Sequence, residues 1–199
     1  MSLTDGIFAN AIRGTLAEPA VHMVNFRVRS LVIGTMHLLT VSAGITAGQI
    51  KCKIDPSKLA SGAAAVYSPG DKTIYGSKAE GFYADEKQTF VHECTHAVIH
   101  LMGLARGRTV KNLDNETAAY LAGAIYVVAS RQMLNTPKRI SPHSAAHTIV
   151  SKKGIGSSPT NAGSPIEFSD AELAPLTAAI RTDPLYKKDW NQDVVWRWT

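Results

Sequence analysis

The sequence predicts a mixed α+β domain, on three observations. Apolar residues recur at helical spacing over two long segments, 85–102 and 114–134. Between 48 and 76, three short runs rich in alternating or β-branched residues are separated by turn signals. Before them, Val21, Val24, Val28, Leu31, Val32, Leu38 and Leu39 fall at spacings that suit one long buried helix over 16 to about 42, with Pro19 near its first turn.

Taken in order, "GQIKCKI" (48–54) alternates apolar and polar residues as a half-exposed strand does. "AAAVYS" (63–68) reads as a second strand, "SPGD" as a turn, and "KTIYG" (72–76) as a short third strand. A helix follows, with Asp85 as its N-cap, Glu86 in its first turn, an apolar run through Met102 and Gly103 just past its end. The next helix runs from about Asp114 to Leu134, and Pro137 helps stop it. Residues 136–168, rich in Ser, Gly, Pro and Thr, read as an extended loop or lid. A short helix with Ser169 and Glu172 in capping-box spacing then leads into a tail that holds all three tryptophans, Trp190, Trp196 and Trp198. The tail is expected to pack as a strand; the other reading is a surface for docking a partner or stacking on a glycan.

A chain of 199 residues, 45% hydrophobic and 19% charged, suits one soluble domain able to bury its own core. Net charge is +5, yet Lys and Arg are scattered rather than massed on one helix, so no nucleic-acid partner is expected. The excess mildly suits anionic surroundings. Two cysteines, Cys52 and Cys94, make no disulfide framework and imply reduced thiols. The first basic residue is Arg13 and Asp5 interrupts the start, so synthesis in the cytoplasm without a signal peptide is expected. Residues 30–50 carry no formal charge and are long enough to span a bilayer, but His37, Gln49, three glycines and several hydroxyls favour buried core over membrane insertion.

Four ionisable side chains sit inside an otherwise apolar run, "FVHECTHAVIH" (90–100). His92 and His96 are four apart, which on a helix puts both imidazoles on one face about 6 Å apart along the axis. Two such nitrogens can converge on one metal ion, and Glu93, one step round, is placed to take a proton from a water there. A third ligand has to come from elsewhere. The positions that would hold a third His and its Gly in one known arrangement carry Met102 and Ile99, and a His at another known spacing is replaced by Leu101. His100 lies about 12 Å along the axis from His92, too far to share an ion. Glu116, twenty residues after His96 in "LDNETAAYLAGAIY", could return on an antiparallel helix. A carboxylate among so many apolar neighbours is costly unless a cation compensates it; the plainer role is stabilising the helix dipole.

"HECTHAV" followed by "NE" at this spacing resembles the gluzincin metallopeptidases. A nearer likeness, over about 63–130, is to small bacterial zincin-like proteins, some of them effectors delivered into rival cells or hosts. The resemblance implies a zincin-like single domain, with a core at 63–135 and the lid and tail as decoration. It implies Zn2+ held by His92, His96 and Glu116, and Glu93 activating the water that attacks a peptide carbonyl. Strand 72–76 would be the edge that pairs with substrate. Substrates would be a peptide, a protein or a peptidoglycan stem peptide, and a secretion-system or immunity partner would accompany export by a specialised route. The family pattern has Asp four residues beyond the ligand Glu to orient a ligating His; this chain has Tyr120. For the oxyanion, His143 is the preferred donor, with Tyr83 and Tyr120 as alternatives and His147 as a surface residue. Two rivals remain: a non-catalytic interaction module with a structural metal, docking through its tryptophans, and a membrane-active toxin built on residues 30–50.

Overall fold

The computed structural model describes residues 2–60, 62–106, 109–131, 141–155, 164–186 and 192–194. Among them the architecture is mixed α+β, with six α-helices and small sheets. Helix α1 (Leu3–Leu16) opens on a capping box between Ser2 and Asp5 and buries Phe8, Ile12 and Leu16.

The single helix expected over 16–42 is instead a 3-10 turn (Pro19–Met23), a hairpin of β1 (Asn25–Val28) and β2 (Leu31–Gly34), and helix α2 (Thr35–Thr46). The reason is a competing period. Val24, Phe26 and Val28 are buried while Asn25 and Arg27 are not, and Leu31 and Ile33 repeat the alternation. Val28 pairs with Leu31 across a two-residue loop whose first residue, Arg29, has φ 51°, the positive value that tight hairpin turns favour. The uncharged run 30–50 is thus divided among β2, α2 and a turn, and among the described residues no helix is long and apolar enough to cross a membrane.

The second sheet contains β3 (Lys51–Ile54), β4 (Ala65–Ser68) and β5 (Thr73–Gly76) in the order β3-β5-β4. All three strands fall where the sequence predicts them. The expected edge strand does not: β5 is central and buried at every residue, paired parallel to β3 and antiparallel to β4. The edge facing the motif helix is β4. Its neighbour β5 ends against α1, where a Cβ on Gly76 would lie 2.4 Å from Phe8 Cζ, so only glycine fits.

Helix α3 (Ala84–Arg106) begins one residue before Asp85 and runs past Gly103, three residues beyond the predicted stop. Its start is held by Glu86, whose carboxylate accepts from Tyr83 N–H at 2.8 Å. Two-residue strand β6 (Val110–Lys111) precedes α4 (Asn112–Ser130), which ends where Arg131 turns left-handed at φ 53°.

Two contacts fix α3 and α4 as antiparallel neighbours. Glu116 lies beside His92 and His96, and Gly123, two turns on, lies beside Gln88. A Cβ on Gly123 would sit 2.9 Å from Gln88 Cγ and 3.1 Å from its carbonyl oxygen, so glycine sets how closely the helices approach.

The segment expected as a loop or lid contains α5 (Pro142–Lys152) and β7 (Ile166–Phe168). Helix α5 has Ser141 as N-cap, Pro142 in its first turn, and Ala146, Ile149 and Val150 buried on one face. Strand β7 extends the hairpin sheet parallel to β1. Helix α6 (Asp170–Thr182) carries the expected Ser169–Glu172 capping box. Strand β8 (Asp193–Val194) pairs with β6; the three tryptophans, Pro137 and Leu134 lie outside the described residues. Cys52 and Cys94 are free and buried.

Candidate metal centre

Helix α3 presents His92 and His96 one turn apart, and α4 brings Glu116 between them. The three side chains are buried, and each offers one ligand atom to a common centre. The imidazole Nε2 atoms are 3.0 Å apart, and Glu116 Oε2 is 3.5 Å from that of His92 and 3.6 Å from that of His96. Tetrahedral ligands at about 2.0–2.1 Å from a zinc-sized ion lie about 3.3–3.4 Å from one another. The three observed separations scatter closely around that spacing, so the three atoms would be able to hold one such ion together. Glu116 Oε2 is buried with no hydrogen-bond partner among the described residues, the mark of a lone pair held for something else. The donor set therefore fits a metal ion. Glu116 is also past the first turn of α4, where Asp114 serves the dipole, so dipole stabilisation does not explain it.

His96 is oriented from behind: its Nδ1–H donates to Asn115 Oδ1 at 3.0 Å, which leaves Nε2 for the centre. The sequence shows Asn115 only as the residue before Glu116; its role needs the helix pair to be seen. His92 has no such support, for its Nδ1 is buried without a partner among the described residues. Tyr120 packs its ring against His92 instead, with centroids 4.5 Å apart and planes at 73°. Its hydroxyl is engaged by that of Tyr186 at 3.1 Å.

Electrostatics hold the triad together. Burial acts to lower the His96 pKa, but the Glu116 carboxylate overrides it and the value rises to about 9. Glu116 shows the converse: burial acts to raise its pKa, and the two imidazoles hold it well below the usual carboxylate range.

Glu93 stands beside the triad. Its Oε2 accepts the Tyr67 backbone N–H of β4 at 2.7 Å, which ties the motif helix to the sheet edge. Burial pushes its pKa up, against the pull of His92, His96 and that N–H.

No protein-family model matches this sequence, no curated protein matches it, and no solved structure matches the fold. The part of the zincin resemblance that is established is the triad itself.

Of the triad, His92 lines a cleft of about 380 Å³, to which Ala63–Ala65 at the start of β4, Glu93, Tyr120, His143 and Tyr186 also contribute. His143, expected in a loop, is on α5, its ring centroid 6.2 Å from His92 and 4.8 Å from Tyr120. Burial lowers its pKa to about 4, aided by the charge on His92. Tyr83 is 71% exposed and lines a neighbouring groove rather than this cleft. His147 is on α5, and no second group of metal ligands occurs among the described residues. His100 is one turn beyond the triad, bonded through Nδ1 to Tyr67 Oη at 2.7 Å.

Proposed function

We propose that the chain is a zinc-dependent peptidase that hydrolyses peptide amide bonds. The observation that carries this reading is the near-equilateral triangle of His92, His96 and Glu116 ligand atoms, with His92 and Glu93 both lining the cleft. When bound, zinc supplies Lewis acidity, polarising a carbonyl and lowering the pKa of water towards 7. His92, His96 and Glu116 hold the ion. Glu93, with a carboxyl pKa raised by burial, accepts a proton from the attacking water and returns it to the leaving amine. Its Tyr67 contact fixes one oxygen and leaves the other to move that proton. His143 is neutral at pH 7 and can donate an N–H towards the oxygen that gains charge. Among the described residues β4 is the strand edge beside the cleft, and it replaces β5 as the edge against which an extended peptide lies.

The test pairs metal analysis with hydrolysis. Purified protein carries about one zinc per chain, and His96→Ala loses it. Glu93→Gln keeps the zinc and the fold but hydrolyses a mixed peptide substrate at least 100-fold more slowly. A Glu93→Gln variant as active as the parent would leave only a structural metal.

A further inference from the structure

The cleft continues from His92 back along the first two turns of α3, and that floor is chemically unusual. Gln88, one turn before His92, lines the cleft and is 2% exposed. Its carboxamide nitrogen is buried with no hydrogen-bond partner among the described residues. A buried amide left unpaired is destabilising, and Met or Leu at the same place would avoid that. The amide's last torsion is soft and roughly two-fold, so rotation exchanges nitrogen for oxygen at the cleft side.

The charge of that floor has one sign. The cleft lining includes Asp85, Glu86 and Glu93 and, among the described residues, no lysine or arginine. Glu86 is already neutralised by Lys78 Nζ at 2.7 Å, an ammonium that also lies 5.4 Å from the Tyr83 ring centroid. Among the described residues no cation pairs with Asp85, whose Oδ1 accepts only from the next backbone N–H. With Lys78 engaged by Glu86, Asp85 is the carboxylate of that floor left to receive a cation.

Resting on the peptidase reading, we propose that α3 residues 85–88 form a substrate rail selective for basic peptides. Gln88 hydrogen-bonds a peptide group of the substrate, and Asp85 pairs with a lysine or arginine side chain further along. The spacing sets the register. Gln88 is about 6 Å and Asp85 about 10 Å from His92 along the helix axis, at about 1.5 Å per residue. An extended peptide advances about 3.3 Å per residue, so these are the second and third residues from the bond cleaved. Anionic substrates are disfavoured at the same position by the unpaired carboxylate.

The experiment uses zinc-loaded full-length protein and hydroxamates, whose chelating group anchors a ligand at the metal. Acetohydroxamate reports the metal site alone. Two peptide series carry the hydroxamate at the C-terminus or the N-terminus, with Lys or Glu as the third residue, and dissociation constants are read by calorimetry. In one series the Lys peptide binds at least tenfold tighter than the Glu peptide, and Asp85→Asn removes the difference. Gln88→Met weakens both peptides of that series at least fivefold while acetohydroxamate binds as before. Equal binding of Lys and Glu peptides in both series overturns the rail and leaves the peptidase reading intact. No binding of acetohydroxamate overturns the peptidase reading itself. Asp85→Asn, at the open end of the helix, decides the matter if Gln88→Met does not fold.

Discussion

Asn115 accepts a hydrogen bond from His96 while its neighbour in sequence, Glu116, faces the same imidazole from the other side. One turn of α4 therefore supplies both a metal-ligand atom and the support that aims a second. Asn115→Ala should lower zinc affinity about 10- to 100-fold, as loss of such a support does elsewhere. Asn115→Asp keeps an acceptor in place and should retain most of the affinity. Competition with a fluorescent chelator measures both.

Metal affinity should depend on pH through His96. A pKa near 9 in the metal-free protein means that the imidazole carries a proton at neutral pH and must lose it to become a ligand. Apparent zinc affinity should therefore rise on the order of tenfold per pH unit up to about pH 9 and then level off. Calorimetry in buffers of different ionisation enthalpy should count close to one proton released per zinc at pH 7.

Metal-free stability should move the other way. The folded pKa of His96 is raised, so its contribution is fully present below about pH 6.5 and is lost as pH climbs through about 9. Glu116 is depressed, so its contribution is present above about pH 4.5 and is lost as pH falls through its lowered value. The pair is most stabilising between those two ordinary values. Urea midpoints of chelator-treated protein across pH 4–10 should show a maximum near pH 5–6, and zinc should remove the alkaline loss.

Helix approach can be tested at Gly123. Adding a methyl group there brings Cβ to 3.1 Å from a backbone oxygen, which cannot swing away as a side chain could. Gly123→Ala should cost about 1–3 kcal/mol despite its better helix propensity. The displaced α4 carries Glu116 with it, so the same variant should weaken zinc binding. A variant as stable as the parent, with unchanged zinc affinity, would mean that α3 and α4 are not held in this register.

How much was legible follows from which distances are local. His92 and His96 meet because helical geometry puts residues four apart on one face, and Glu116 was accessible as a carboxylate out of place among Ala118, Ala119, Leu121 and Ala122. Asn115, Gln88 and Gly123 acquire meaning only when α3 and α4 face each other. The hairpin at 25–34 was hidden because Val24, Val28 and Leu31 satisfy helical spacing, while the alternation rests on Phe26 and Ile33 as well. Helix α5 was hidden by its composition: serines, histidines and a proline read as loop, although Ser141 and Pro142 are a sound helix start. The central place of β5 is a matter of topology, since a strand's own residues do not say whether it has one neighbour or two.

Removing the carboxylate isolates its effect on the imidazoles. In metal-free protein, Glu116→Gln takes away the charge that opposes the burial of His96, and burial alone lowers a histidine pKa. The His96 titration, followed by NMR through its ring protons, should fall from about 9, while Glu93 and Asn115 still act to raise it against burial. His100, whose pKa is lowered by burial and by the charge of Lys72, is one turn away and should keep its titration, serving as an internal control. If both histidines shift together, the variant has loosened α3 as a whole; if neither shifts, Glu116 does not face His96 in solution. Only a selective fall at His96 is consistent with the Oε2–Nε2 contact on which the metal site depends.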